Sequence, residues 1–301
     1  MIMQISDYKR IDPAFESVYR TFSAANLQES CERSWANLLL YMATYDWHAW
    51  VSDDRLWIAS FKENYIFFPL GKVIEPEALK VVLGEFALLC GGDFVCGDVP
   101  EDYLALYPHA AELMTFENDP GEADYIYSLE HLQSFSGSKL RKRHNQLRQF
   151  DREYENRWFC REIKAGDLAE IRSLAEKLSQ TYWSDDTGLE ERLAFDRLPE
   201  VWNLPSVGLS GIVLYVDDHI AGFSIYSPLT DNMVDVHIEK ADHAYRGCGA
   251  KLTSELVNTL LRKGFCYMNR EQDLNLDGLR RAKCALDPDH LFERLSISTL
   301  K

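Results

Sequence analysis

Positive charge is scarce in this chain. Its 301 residues carry 32 Lys and Arg against 48 Asp and Glu, a formal net charge of −16. A surface of that balance excludes a protein that grips nucleic acid or anionic membrane over its whole area, so any local run of cations is informative. No run of 18 apolar residues occurs, which leaves no helical stretch able to cross a bilayer. The opening MIMQISDYKR lacks the basic-then-apolar order of a secretory leader, and a cytoplasmic protein is expected. Paired cysteines are missing too. Cys31, Cys90, Cys96, Cys160, Cys248, Cys266 and Cys284 make an odd count with no CxxC, so neither a disulfide framework nor a zinc cluster is expected. They read as small buried hydrophobes in a reducing compartment.

What is present is ordinary globular composition, 46% hydrophobic and 27% charged, in a chain long enough for two domains. Apolar residues three and four apart predict a helix over Ser34–Tyr45, and aromatic or β-branched runs predict strands over Trp47–Val51, Leu56–Phe61 and Tyr65–Leu70. A helix over Glu75–Cys90, with Pro76 in its first turn, is followed by strands over Asp93–Cys96, Glu112–Phe116 and Asp124–Tyr127. The second half repeats the order. It has a strand over Trp158–Ile163, helices over Asp167–Tyr182 and Leu189–Leu198, a hairpin across Asp217-Asp218, a strand over Met233–Glu239, a helix, and closing strands over Cys266–Asn269 and Leu291–Ile297. We read an α/β (α+β) architecture in tandem: residues 1–135, a connecting helix at 136–155, and residues 156–301.

The stretch Asn232–Phe265 holds the candidate site. Val234, Val236 and Ile238 alternate with Asp235, His237 and Glu239, and then the period changes to that of a helix, with Leu252, Leu256, Val257 and Leu260 on one stripe. Between them lies Arg246-Gly247-Cys248-Gly249-Ala250. Glycines there turn the backbone so that its N–H groups and the positive end of the helix face outward, which suits a phosphate; a tight turn with no ligand uses the same residues. In the first half Pro69-Leu70-Gly71-Lys72 stands at the equivalent turn. Asp235, His237 and Glu239 share the polar side of the strand, so each is a candidate acceptor for the proton of an attacking amine, and Glu239 lies nearest the turn. His237 and His243 find no third ligand at metal-binding spacing, so no metal is expected.

Two other clusters stand out. Ser138–Tyr154 places Leu140, Leu147, Phe150 and Tyr154 on one stripe and Lys139, Arg141, Lys142, Arg143 and Arg148 around it, five cations before the first acid at Asp151. Two readings are open: a solvated face whose cations pair with carboxylates elsewhere, or an anion site using Arg143, Asn145 and Arg148. Asn269, Arg270, Glu271, Gln272 and Asp273 follow the last inner strand, where open α/β sheets bind ligands. Arg270, Arg280 and Lys283 are candidates for holding phosphate or carboxylate there, and Glu271 or Asp273 for an amine. A structural ion-pair network is the other reading.

The turn Ala244-Tyr245-Arg246-Gly247-Cys248-Gly249-Ala250 resembles that of the GNAT superfamily of N-acyltransferases, which wraps the pyrophosphate of an acyl-CoA. Ala244 stands where that family usually has Gln or Arg. Three segments together, Asp124–Ser128, Lys139–Phe150 with Arg143-His144-Asn145, and Tyr267–Asp273 followed by Gly278–Lys283, resemble the soluble bacterial family related to the C-terminal domain of phosphatidylglycerol lysyltransferase. This resemblance spans most of the chain. It implies two GNAT-like domains, each a mixed, mostly antiparallel sheet flanked by helices, and transfer of an acyl or aminoacyl group from acyl-CoA or aminoacyl-tRNA to a small-molecule amine or hydroxyl. It further implies tRNA contact through the helix at 139–148 and none with DNA. A GNAT-like protein that binds a small anion without catalysis is the alternative.

Overall fold

The computed structural model describes residues 8–23, 29–182 and 185–301, and of residues 180–182 and 185–188 the backbone alone; most of the opening MIMQISDYKR lies outside that range. The chain forms two compact units. One takes in the described part of Met1–Gln28 with Tyr41–Ala123 and Glu293–Lys301, the other Glu29–Leu40 with Asp124–Phe292.

The first unit is built on a sheet whose strands run in the order Lys9–Arg10, His48–Ser52, Arg55–Ser60, Tyr65–Phe67, Val95–Pro100, Arg294–Leu300, Met114–Glu117, with Leu70–Gly71 beside Arg55–Ser60. Its neighbours are antiparallel apart from Tyr65–Phe67 and Val95–Pro100, which run parallel. A parallel pair needs a crossover. The Pro76–Leu89 helix provides it, starting at Pro76 and burying Leu79, Leu83 and Phe86 at helical spacing. These side chains meet Trp57, Ile66, Val99, Met114 and Ile297 in one core. Each such side chain contributes about 1.5–3 kcal/mol by leaving water.

The second unit repeats the plan. Its strands run His290–Phe292, Asp124–Ser128, Tyr267–Asn269, Met233–Ala241, His219–Pro228, Ser210–Val216, Trp158–Glu162. Again one pair is parallel, Met233–Ala241 with Tyr267–Asn269. The Cys248–Arg262 helix crosses between them and buries Cys248, Leu252, Leu256, Val257 and Leu260. Two mixed sheets with flanking helices, each carrying a strand–helix–strand crossover, are what the repeated order predicts.

Three strands differ from expectation. Asp124–Ser128 does not close the first half; it pairs with Tyr267–Asn269 on one side and His290–Phe292 on the other. Four consecutive buried residues, Asp124 to Tyr127, fit an interior strand. The strand expected over Leu291–Ile297 breaks at Glu293: His290–Phe292 joins the second sheet, and Arg294–Leu300 lies between Val95–Pro100 and Met114–Glu117 in the first. The strand expected at 112–116 begins at Met114, because Ala110–Leu113 makes a helical turn that buries Ala110.

The basic stretch forms a helix at Arg141–Glu153 and packs Leu147, Phe150 and Tyr154 toward the start of the Cys248–Arg262 helix. The approach is close. Gly247 has φ of 79°, and a Cβ there would stand 2.3 Å from the carbonyl oxygen of Gln146. A side chain at 247 therefore meets both left-handed strain and backbone. Gly249 has no such conflict, its nearest neighbour being the Ala241 Cβ at 3.8 Å. Gly247→Ala is expected to lower stability by at least ~1 kcal/mol, and Gly249→Ala by less; urea midpoints of the two variants give the comparison, and equal midpoints would contradict it.

Candidate functional site

Met233–Ala241 pairs with Tyr267–Asn269 only from Met233 to Asp235. Beyond Asp235 the two parallel neighbours separate, and the chain after Asn269 turns away through Arg270–Asp273. Such a divergence at the carboxyl ends of parallel strands opens a slot where ligands bind. The expected shared face of Asp235, His237 and Glu239 does not hold: His237 is the extra residue of a β-bulge, with Ile238 opposite Ile225 and Val236 opposite Tyr226, so Asp235 and His237 face Asn37 and Ser227 while Glu239 lies on the other side, with Val236 and the Cys248–Arg262 helix.

The apex is acidic and closed. The Asp235 side chain is fully buried, and its Oδ2 accepts a hydrogen bond from Asn37 Nδ2 at 3.3 Å. Burial, with Glu271 and Asp124 alongside, pushes Asp235 well above the ordinary carboxylate range against the pull of the Ser34 hydroxyl. His237 Nε2 is 2.8 Å from Ser227 Oγ, and its Nδ1 is 2.8 Å from Asn37 Oδ1. An amide oxygen only accepts, so Nδ1 carries the hydrogen and Nε2 accepts from the serine. Glu271 completes the group. Its backbone has φ of 57°, its N–H donates to Asn269 Oδ1 at 2.6 Å, and its Oε1 accepts from Asn37 Nδ2 at 3.0 Å.

Cations gather farther along the slot. Arg270 Nη2 donates to Glu239 Oε1 at 2.6 Å, while Glu239 Oε2 is buried with no hydrogen-bond partner. Burial, with Arg270 beside it, pulls the Arg143 guanidinium below its usual value, and Glu239 opposes that pull. Tyr127 lies under Arg270, its ring centre 5.9 Å from the guanidinium carbon. Two guanidiniums and one carboxylate thus meet where the basic helix, the central strand and the Arg270 loop converge.

At the glycine turn the Arg246 amide donates to the Tyr154 hydroxyl at 3.2 Å and the Cys248 amide to the Tyr245 carbonyl at 3.1 Å. The amides of Gly247, Gly249 and Ala250 take no partner among the described residues. Cys248 is no thiolate: its Sγ donates to the Ala221 carbonyl, and burial pushes the thiol up to about 12.

The remaining predicted residues are engaged in structure. Asn269, fully buried, donates through Nδ2 to Asp124 Oδ2 at 2.7 Å and to the Glu29 carbonyl at 2.6 Å. Asp273 is enclosed by Arg280, at 2.7 and 2.9 Å, and by the Tyr125 hydroxyl at 2.7 Å. Burial alone would raise its pKa, but these donors hold it below the usual value. The Lys283 ammonium is spent on the carbonyls of Arg270, Glu271 and Gln272, and burial pulls it down to about 8. Asn145 and Arg148 are exposed on the basic helix. So the structure brings Asp235, His237 and Glu271 together, sets Glu239 with Arg270 and Arg143, and leaves Asp273, Arg280 and Lys283 in supporting networks.

Sequence reasoning misses Asn37, Ser227, Asp124 and Tyr127. Asp124 and Tyr127 lie in a segment that the family resemblance marks, whereas nothing in the local pattern of Asn37 distinguishes it.

Residues 24–295 match the family described as phosphatidylglycerol lysyltransferase, C-terminal. The chain belongs to that family. A conserved protein of unknown function from Bacteroides thetaiotaomicron VPI-5482 superposes with a TM-score of 0.83 at 27% identity, covering 98% of this chain and 99% of that one. L-PGS from Bacillus licheniformis shares the fold, with a TM-score of 0.64, 13% identity, and coverage of 98% and 94%. An uncharacterized protein of Mycoplasmoides gallisepticum is 23% identical over 180 residues, and the match takes in 59% of this chain and 56% of that protein. Tandem GNAT-like domains are therefore the architecture here. Among the described residues no helix is long and apolar enough to cross a membrane.

Asn269 holds the buried Asp124 carboxylate and, through its oxygen, the Glu271 loop. Removing it leaves a buried charge short of a donor, which costs about 1–3 kcal/mol. Asn269→Ala should lose that much stability in chemical denaturation while Arg148→Ala, on the exposed face, stays within about 0.5 kcal/mol of the parent; similar losses for both would overturn the assignment.

Proposed function

We propose that the chain is an aminoacyltransferase that takes its aminoacyl group from aminoacyl-tRNA and passes it to a small-molecule amine or hydroxyl. One observation carries this reading. On the Arg141–Glu153 helix Arg141, Lys142, Arg148 and Arg152 are exposed, and none of them has a carboxylate partner among the described residues. A solvated helix face in so acidic a protein would be expected to pair its cations with neighbouring acids. Lys139 does so, with Asp287 at 2.8 Å. Arg141, Arg148 and Arg152 instead share the outer side of the helix, with Lys142 next to them, a basic face suited to the backbone of a polyanion.

The donor's other needs find groups nearby. Arg143 and Arg270 stand at the slot for a phosphate or a developing oxyanion, and the open amides of Gly247, Gly249 and Ala250 add donors at a helix start. In the reaction the acceptor's nitrogen or oxygen attacks the ester carbonyl carbon, the ester C–O bond breaks, and the acceptor's proton ends on the departing tRNA hydroxyl. Glu239 Oε2 is assigned as the group that carries that proton. Membership of a lysyltransferase family supports an aminoacyl group as the cargo.

The test is retention of aminoacylated tRNA over a series of salt concentrations. Removing one cation that neutralises a phosphate lowers the slope of log K against log salt by roughly 0.7–0.9, so the triple variant R141E/K142E/R148E should bind more weakly with a slope smaller by about 2–3. An unchanged slope overturns the tRNA reading. Saturable acetyl-CoA binding that Arg246→Ala weakens, with no tRNA retention, would move the donor to acyl-CoA, and binding of neither would leave a non-catalytic protein.

A further inference from the structure

We propose that Asp235, His237 and Glu271 form a binding site for a divalent transition-metal ion of the zinc class. Ligands arranged tetrahedrally at 2.0–2.2 Å from such an ion stand roughly 3.3–3.6 Å from one another. His237 Nδ1 is 3.4 Å from Asp235 Oδ2 and 3.5 Å from Glu271 Oε1. One ligand atom from each of the three residues falls within 4.8 Å of the others. Both separations from the imidazole are already those of a first coordination sphere, and closing the two carboxylates onto one ion needs only a side-chain adjustment.

A gathering of acids is not in itself a site. The independent observation is Asp235: its side chain is fully enclosed, its Oδ1 has no hydrogen-bond partner, and no Lys or Arg lies within ion-pair distance of it among the described residues. A buried carboxylate so placed calls for a positive partner. The nearby cations are committed elsewhere, Arg270 to Glu239 and Lys283 to three backbone carbonyls.

The surroundings also suit an ion. Ser227 Oγ, 2.8 Å from His237 Nε2, would accept from that nitrogen once Nδ1 is on the metal, the outer contact that orients a ligating imidazole. Asn37 spans all three ligands, with its oxygen 2.8 Å from Nδ1 and its nitrogen near both carboxylates. Turned about its last torsion, the carboxamide offers that oxygen as a fourth ligand. One imidazole nitrogen with two carboxylates and an amide oxygen favours borderline ions such as Zn²⁺ or Co²⁺ over Mg²⁺ and Ca²⁺, whose ligands are oxygens.

The proposal stands apart from the transferase reading, because metal binding is measured without donor or acceptor. The full chain, stripped with chelator, is titrated with Zn²⁺ by calorimetry and with Co²⁺ by visible absorption. The expected result is one ion per chain, with Co²⁺ bands of tetrahedral intensity, and affinity reduced at least about tenfold in His237→Gln and in Glu271→Gln. Two variants guard against one that fails to fold. His290→Gln serves as a control, since His290 sits between Glu29 and Asp289 at the surface and would mark a different site. No stoichiometric binding, or binding that H237Q and E271Q leave intact and H290Q removes, overturns the proposal.

Discussion

A single buried carboxylate ties together the segments that carry the candidate site. Asp124 accepts the backbone N–H of Cys31 at 2.7 Å, the Cys31 thiol at 3.3 Å and the Asn269 amide at 2.7 Å. Three stretches remote in sequence, 29–40, 124–128 and 267–271, are tied to one side chain that is itself fully buried. Hydrogen bonds to a buried charge contribute more than neutral ones, about 1.5–3 kcal/mol each, and leaving such a charge unpaired costs more than forming the pair returns. Asn37 reaches His237 because the Cys31 segment is held there. Glu271 reaches Asn37 because Asn269 accepts its N–H while donating to Asp124.

Around the parting of the two parallel strands the charges are sorted by place. Carboxylates collect at the apex, where the parallel strands part, and guanidiniums collect nearer the glycine turn. Desolvation penalises both groups, so neither arrangement favours the folded state on its own. Each gains a role if its complement binds: a cation at the apex and a phosphate-bearing carrier farther out. Polar groups placed at a cost to stability mark functional sites more reliably than do well-satisfied networks such as Asp273 with Arg280 and Tyr125.

Much of this is legible from the residues in order. Alternation at Val234 and Val236 fixes the face of Asp235 but misplaces Glu239, because the bulge at His237 reverses the faces beyond it; the stripe of Leu147, Phe150 and Tyr154 fixes which face of the basic helix packs. Both are local signals, repeated every two or every 3.6 residues. Asn37 is not legible, since its partners His237 and Glu271 lie 200 and 234 residues away and a lone asparagine within a helix has no period. Nor is the strand exchange. Leu291–Ile297 reads as one extended run, and only the break at Glu293 sends its two ends into different sheets. The approach of Glu271 to His237 escapes the sequence for a related reason. Glu271 turns toward the histidine through a left-handed backbone that sequence spacing does not reveal.

The glycine turn shows how one motif can answer to a cause its sequence does not display. By its sequence Gly247 bares amides to a phosphate, yet its φ and the 2.3 Å clash of a would-be Cβ with Gln146 show that it first lets two helices meet. Gly71, expected at the equivalent turn of the first unit, lies instead in the short strand Leu70–Gly71, four residues before the Glu75 cap of the crossover helix; its φ is 106°, and a Cβ there would lie 2.3 Å from the Asp54 carbonyl, so it too answers to a close backbone approach. What separates the two turns is the helix that follows the approach. At Gly247 the neighbour is Arg141–Glu153, and the close packing that demands glycine also brings Arg143 toward Arg270, while Arg141, Arg148 and Arg152 lie on the outer side of the helix. A glycine kept for packing therefore sets the spacing of the two helices, and any anion that the second unit takes would meet the docked helix through Arg143 as well as the amides of the turn.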